Sequence, residues 1–426
     1  MGPLTNPDGA ALYQLVRDLF PLNRSITGGG VRETLARLGD VVPLTVHEVP
    51  TGTAVLDWEV PAEWNLRAAW IEGPDGRRIV DAANHNLHVV GYSTPIHAEF
   101  PLQELQAHLH SDPARPDVIP YRTSYYSPAW GFCLTDRQRS ALPDGRYRVH
   151  IDAELRPGSL SYGEFVLPGT STDEVLVYTH TCHPSLANDN ASGMAVCAFL
   201  ARWLSTAPRR LSYRVVFGPG TIGSITWLAR NRDVVPRIVG GFVLALVGDP
   251  GPLVYKRSWS GASLIDRAAE AWLRRERRSA RFMDFSPWGY DERQFGSPGF
   301  RLPVGRLTRS AEEGYPEYHS SADNLALVRP DSLADALVAA QAILQLVDAN
   351  APLLNLSPWG EPQLGRRGLY RSLGGPASPE LQRALLWVLA LGDGEHDLVD
   401  AYSRSGLPLE AILAADRALR GVGLLG

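Results

Sequence analysis

From Gly158 to Val347 the chain alternates short β-prone apolar runs with helical runs, and this alternation restricts the fold more than any other feature. The runs are "EVLVYTH", Ala191 to Trp203, "SYRVVFG", "IGSITWLARN", "GGFVLALVG", "SLIDRAAEAWLRRE", "FRLPVGRL" and Ala334 to Val347. Strands alternating with helices predict an α/β fold, a mostly parallel sheet with helices on both faces. Ligands of such sheets bind at the carboxyl ends of the strands.

The flanking segments read differently. "DGAALYQLVRDLF" places Leu12, Leu15, Val16 and Leu19 on one helical stripe, and Gly28 to Gly39 reads as a second helix stopped by glycine. No strand precedes the glycine triplet at 28–30, so it reads as a loop rather than a phosphate cradle. From Val55 to Pro157 the texture is short strands and turns, with an aromatic stretch, "TSYYSPAWGFC". After Ala351 a Pro/Gly-rich connection leads to helical segments, "ELQRALLWVLAL", "EHDLVDAYSRSG" and "PLEAILAADRAL", with the "SGLP" step of a helix-turn-helix or winged-helix unit. A chain of 426 residues exceeds one compact core. The predicted domains are residues 1–54 with 158–350 (α/β), 55–157 (an inserted small β-rich domain) and 351–426 (winged-helix-like).

"THTCHPSLANDNASG" (Thr179 to Gly193) lies where one strand hands over to a helix. His180, His183 and Asp189 are donors that suit Zn²⁺ or a similar ion. Further along lie "GYDERQF", with Asp291 and Glu292, and "EYHSSADNL", with His319 and Asp323, each beside a strand of the same sheet. Taken singly, these residues also fit capping and turn roles, with Asn188, Asp189 or Ser192 as N-cap. Two histidines and an aspartate within ten residues, with a further histidine in a polar turn, favour metal. Cys182 has no tuning partner by spacing and ranks below metal as a nucleophile. Lys256 and Arg257 in "LVYKRSW" read equally as anchors for an anionic substrate group or as surface charges. The "RRERR" run (Arg274 to Arg278) reads as a solvated helix face.

Several segments together resemble the zinc aminopeptidase, glutamate carboxypeptidase and glutaminyl cyclase superfamily. They are "PLNRSITGGGVRETL", "HTCHPSLANDNASG", "GTIGSITWL", "YDERQFGSPGF", "EYHSSADNL" and "GEPQLGRRGLYR". They look closest to an aminopeptidase-like branch with an inserted β domain and a C-terminal winged helix. The resemblance implies a first metal histidine at His180, a bridging aspartate at Asp189 and a last metal histidine at His319. It also exposes departures. The aspartate usual two residues after the first histidine is Cys182. Pro219 and Gly220 stand where paired glutamates are usual. The third-strand carboxylate finds only apolar residues until Asp249. The two-metal set is therefore incomplete.

What remains is a two-histidine, one-carboxylate set, drawn from His180 or His183 with His319 and Asp189. It suits one Zn²⁺ and is compatible with Fe²⁺ or Mn²⁺. Asp291 and Glu292 are the expected acid–base substitutes. Tyr125, Tyr126 or Trp130 are expected to face the cleft from the inserted domain. The expected function is metal-dependent hydrolysis of an amide, or related acyl transfer, on a small metabolite in a biosynthetic pathway. The alternatives are a non-catalytic metal-containing binding or scaffold protein, and a DNA-binding regulator. A net charge of -5 gives no pull toward nucleic acid or membrane. The last segment carries Arg383, Arg404, Arg417 and Arg420 against seven acidic residues from Glu380 to Asp416. That balance suits packing or homodimer formation better than DNA. Three cysteines, an N-terminus without a basic and apolar leader pattern, and no membrane-length apolar run predict a cytoplasmic protein.

Overall fold

The computed structural model describes residues 7–310, 315–372, 375–376 and 378–426. The chain divides into two compact units, one of Gly2–Gly261 with Arg281–Val338 and one of Ala262–Ala280 with Ala339–Gly426.

The larger unit is built on an eight-stranded sheet. In chain order its strands are β1 (Thr45–Pro50), β2 (Ser159–Leu167), β3 (Glu174–His180), β4 (Ser212–Gly218), β5 (Ile238–Leu244), β6 (Val254–Lys256), β7 (Arg281–Met283) and β8 (Val304–Thr308). Their order across the sheet is β1-β2-β4-β3-β5-β8-β6-β7. The central strands β4, β3, β5 and β8 are parallel, and antiparallel pairs flank them. β3 is buried along its whole length, which is why "EVLVYTH" reads as one apolar run rather than an alternation. The chain leaves β3 for β4 on one side and later returns as β5 on the other. The carboxyl end of β3, where His180 pairs with Gly218, therefore lies at a switch point of the sheet.

The helices Gly9–Leu19 and Gly29–Gly39 form where the apolar stripes predicted them. Asp8 caps the first by accepting from the amides of Ala10 and Ala11, and Leu12, Leu15, Val16 and Leu19 are buried. The 55–157 segment forms an antiparallel sheet in the order Arg78–Asp81, Glu63–Glu72, Arg146–Arg156, Ile96–Pro101. Trp64, Ile71 and Val149 of this sheet join one apolar cluster with Tyr178 and Val216 of the large sheet. The β-rich segment thus shares its core with the α/β unit.

In the smaller unit three helices, Pro379–Ala390, Leu398–Ser405 and Leu409–Gly421, accompany a strand pair, Pro352–Leu354 with Asp393–Asp397. The middle helix starts later than "EHDLVDAYSRSG" suggests, because Asp397 and Asp400 form a capping box there. Helix Leu264–Glu276 belongs to this unit as well, and its Arg267 donates to Asp397 and Asp400 at 2.8 and 2.9 Å. The run predicted as a solvated face is partly used: Arg275 donates to the Leu407 carbonyl, and Arg277 lies over the Trp272 ring. Helix Pro330–Ala349 is long and apolar enough to cross a bilayer, but 78% of its apolar window is buried, so its apolarity serves packing.

Trp227, on helix Ile222–Arg230, is fully buried, and its indole donates to Glu164 at 2.9 Å. Glu164 in turn pairs with Arg214, which pairs with Glu174. Trp227→Ala removes both the packing and the donor. It is expected to destabilise the larger unit by about 3–5 kcal/mol in urea unfolding, with Trp227→Phe costing clearly less.

Candidate metal centre

The end of β3 is held by its own side chains. Thr179 Oγ1 donates to the Leu244 carbonyl at 2.8 Å. Asn190 donates to Thr179 Oγ1 and to the His180 carbonyl, and accepts from the Leu246 amide. Asn188 accepts from the Gly248 amide and donates to Asp249 at 2.9 Å. Asn190 therefore stitches β3 to the segment after β5, Asn188 holds that segment further on, and neither caps the next helix, where Ser192 makes no side-chain cap. Gly193 is required by this closeness: a Cβ there would lie 2.3 Å from Asn190 Oδ1 and 2.8 Å from the Leu244 carbonyl. Asp249, the nearest carboxylate to the expected third-strand ligand, is committed to Asn188 and the Gly251 amide.

Three imidazoles converge on Asp189. His180 Nε2 lies 2.6 Å from its Oδ1, and His319 Nε2 and His183 Nε2 lie 3.1 and 4.0 Å from its Oδ2. Donor atoms of His180, His183 and Asp189 all fall within 4.8 Å of one another. Asp189 Oδ2 and His319 Nε2 are buried atoms without a hydrogen-bond partner. Burial opposes the charge of Asp189, but the surrounding histidines outweigh it and hold the carboxyl well below its usual range. Burial, with His180, His319 and Arg24 nearby, drives His183 down to about 3 against the pull of Asp189. The set is thus an ionised carboxylate with a neutral imidazole beside it, and its orphaned donors fit one divalent cation. His319, at φ 51, sits in the left-handed region, a conformation that costs a non-glycine residue on the order of 1 kcal/mol or more.

A second layer orients these groups. Asp323 accepts from the amides of Asn188 and Asp189 at 2.6 and 2.9 Å and from the Tyr315 hydroxyl at 3.0 Å. Arg24, buried in the loop after the first helix, donates to the His183 carbonyl at 3.0 Å and to the Leu19 carbonyl. Tyr290 stacks on His180, Tyr318 stacks on His319, and the Tyr121 ring lies edge-on to His319. Arg24, Tyr290 and Tyr318 lie inside "PLNRSITGGGVRETL", "GYDERQF" and "EYHSSADNL", but nothing in those segments marks them individually, and Tyr121 lies outside all of them.

The remaining expected residues divide. Asp291 lies beside His180. It accepts from Ser224 Oγ at 2.6 Å through Oδ1, its Oδ2 has no partner, and burial pushes it up to about 7. A Cβ on Gly220 would lie 3.1 Å from His180 Cβ and 3.2 Å from Asp291 Oδ2. Asp291 thus fills space that a side chain at 220 would crowd. Glu292 is different from expectation. It is fully buried and paired with Lys256 at 3.0 Å and Arg306 at 3.3 Å, which commits it to an ion-pair cluster rather than to proton transfer. Lys256 is committed likewise, with a second bond to the Trp288 carbonyl, so it is not an anchor for substrate. Arg257 turns instead to Asp284, an exposed carboxylate. Trp130 stacks on His108, 3.6 Å between ring centres, and packs near Phe100, so it serves the inserted sheet rather than the cleft. Tyr126 remains half-exposed beside Trp58.

Asp323 touches none of the imidazoles but fixes the backbone that carries Asp189. Asp323→Ala is expected to weaken divalent-metal affinity about 10–100-fold, measured by competition with a chelator. His319→Ala is expected to abolish stoichiometric metal in elemental analysis of the folded protein.

Comparisons with known proteins agree with this architecture. Residues 13–350 match the family described as the domain of unknown function DUF4910, and residues 351–426 match a winged helix-turn-helix. A Clostridium acetobutylicum protein, named as a candidate polysaccharide biosynthesis protein with an aminopeptidase-like domain, is 45% identical over 418 residues, covering 98% of this chain and 96% of its own. A crystal structure of a candidate peptidase from the same organism superposes with a TM-score of 0.92 at 44% identity, covering 98% and 96% of the two chains. The zinc aminopeptidase of Bacillus subtilis shares the fold at 15% identity, with a TM-score of 0.59 over 80% of this chain and 96% of its own. A peptidase M28 precursor from Shewanella amazonensis does so at 14% and 0.56, over 80% and 93%. With an aminopeptidase-like sheet carrying the His/Asp cluster and a winged helix at the C-terminus, the chain belongs to the DUF4910 family.

Proposed function

We propose that this chain is a metal-dependent hydrolase that cleaves an amide bond in a small metabolite. The observation that carries this reading is the convergence of His180, His183 and His319 on buried Asp189, with Asp291 beside them. Asp189, His180 and His319, with His183, would hold one ion, and Zn²⁺ suits neutral imidazole and carboxylate best. When bound, such an ion polarises a carbonyl and lowers the pKa of water to about 7.

Asp291 does the proton work in this reading. Its Oδ2 is free of hydrogen bonds, and its affinity for protons is matched to neutral pH. Ionised, Oδ2 takes a proton from the attacking water. Protonated, the same atom returns it to the leaving amine, while Ser224 holds the other oxygen in place. The Tyr290 hydroxyl, kept neutral by burial, is a donor available to charge that develops on the acyl oxygen.

The substrate is not an ordinary peptide. Pro219 and Gly220 leave no side-chain carboxylate at the position usual for the peptidases' base, and Asp291 reaches the site from another element. The name of the Clostridium relative supports a role in polysaccharide biosynthesis rather than protein turnover. Cys133, Cys182 and Cys197 are free thiols, which supports a reducing, cytoplasmic setting. The second reading, a binding protein that keeps the metal without catalysis, draws on the same missing glutamates.

The two readings differ in a screen of N-acylated amino sugars and aminoacyl metabolites with the zinc-loaded protein. Turnover is expected on at least one of them and only slowly on leucyl- or alanyl-arylamides. Its kcat/KM rises with pH through about 7, because Asp291 must lose its proton to act as a base. Asp291→Asn is expected to remove that limb and about 10² to 10⁴ of the rate. No turnover on any of them, with metal fully loaded, selects the binding protein.

A further inference from the structure

Beside the His/Asp cluster lies a cavity of about 240 Å³ to which no step of the proposed reaction has yet given a use. Its buried apolar lining is Ile26, Ile222 and Ile225. It is also lined by Trp58 and Tyr126, which are 49% and 47% exposed, with ring centres 5.5 Å apart. Tyr125, Gly220 and Thr221 complete the lining, and no charged side chain takes part.

Two of these residues adjoin the metal-binding cluster. Gly220 is the residue whose Cβ would meet His180 and Asp291. The Tyr125 hydroxyl is 3.1 Å from the Tyr121 hydroxyl, and the Tyr121 ring is 5.1 Å from His183 and 5.2 Å from His319. A group held in the cavity is therefore one residue, Gly220, from His180 and Asp291, and two, Tyr125 and Tyr121, from His183 and His319.

We propose that this cavity recognises an uncharged six-membered ring that presents an apolar face, carried by the substrate next to the bond that is cut. Size, charge and surface lead to this class. An apolar cavity of about 150 Å³ accommodates benzene, so the space here suits one ring with small substituents, below the range of larger ligands. A charged group would lose its water without meeting an opposite charge in the lining. A flexible chain would lose more conformational freedom than a ring of equal area. The half-exposed Trp58 and Tyr126 offer apolar ring faces whose edges stay wet, which suits a ring with polar substituents at its rim. A saccharide ring and an aryl ring share this chemistry.

The proposal deepens the hydrolase reading and rests on it only for where the ring is attached. The test therefore reads binding rather than turnover. Methyl N-acetylglucosaminide and N-acetyltyrosinamide serve as the ring probes, N-acetylalaninamide and glucosamine 6-phosphate as acyclic and charged controls. Each is titrated into the full-length protein by saturation-transfer NMR and calorimetry. At least one ring probe is expected to bind more tightly than both controls, and which of the two binds names the source of the ring. Trp58→Ala is expected to weaken that binding about tenfold and Trp58→Phe to restore most of it. Ile225→Phe, which fills the apolar lining, is expected to abolish it. His319→Ala is expected to keep it, so that loss of the metal reading and loss of the ring site give different results. Binding unchanged in both Trp58→Ala and Ile225→Phe overturns the proposal, as does preference for the acyclic or the phosphorylated probe, or failure of both ring probes to bind.

Discussion

The charge on Asp189 is the constraint around which the site is organised. An isolated carboxylate with no exposure to water is disfavoured by several kcal/mol, and here it sits at 0% exposure beneath three imidazoles. The surrounding histidines hold it ionised against burial. The same environment drives His183 to its neutral form. A neutral imidazole offers a lone pair and no charge, the kind of donor a divalent cation would take beside an ionised carboxylate.

Holding that arrangement requires rigid backbone, and the structure obtains it from amides rather than from regular secondary structure. Asn190 bridges the end of β3 to the segment after β5, Asn188 holds that segment at Gly248 and Asp249, and Asp323 gathers the amides of Asn188 and Asp189. His319 and Asp323 are four residues apart, so one turn supplies both a ligand candidate and the clamp on the opposite ligand loop. Loss of either asparagine would leave buried amides unsatisfied, each disfavoured by about 1–3 kcal/mol. These polar residues are therefore constrained by the backbone geometry they complete as well as by chemistry.

The alternation of apolar runs makes β3, its following helix and the place of the cluster at a strand's carboxyl end legible in sequence, and the close spacing of His180, His183 and Asp189 makes their convergence legible too. The switch point itself follows only from the strand order. His319 is legible through its polar turn and the superfamily resemblance. What stayed hidden depends on contacts far apart in the chain. Nothing in "LVYKRSW" or "GYDERQF" announces that Lys256 and Glu292 neutralise each other with Arg306, because a buried ion pair and two functional charges have the same composition. The place of Trp130 is hidden for a related reason: aromatic density marks a packed segment, but not which ring faces inward. Trp58 and the lining of Ile222 and Ile225 lay outside the aromatic stretch, in a two-residue strand and a helix whose apolar face reads as ordinary core.

Gly220 borders both the cluster and the cavity. In the peptidases this chain resembles, a side chain after the fourth core strand brings the base to the metal. Here the backbone at Gly220 passes close to His180, and Asp291 stands beside it from the start of helix Glu292–Phe295. Under the proposed reaction, a base delivered from a different element would approach the reacting carbonyl from a different direction. Gly220 also lines the cavity with Thr221 and Ile222. A Cβ at 220 would point toward His180 and Asp291. A carboxylate there would crowd Asp291, so the same glycine that borders the cavity leaves room for the Asp291 carboxyl beside the cluster.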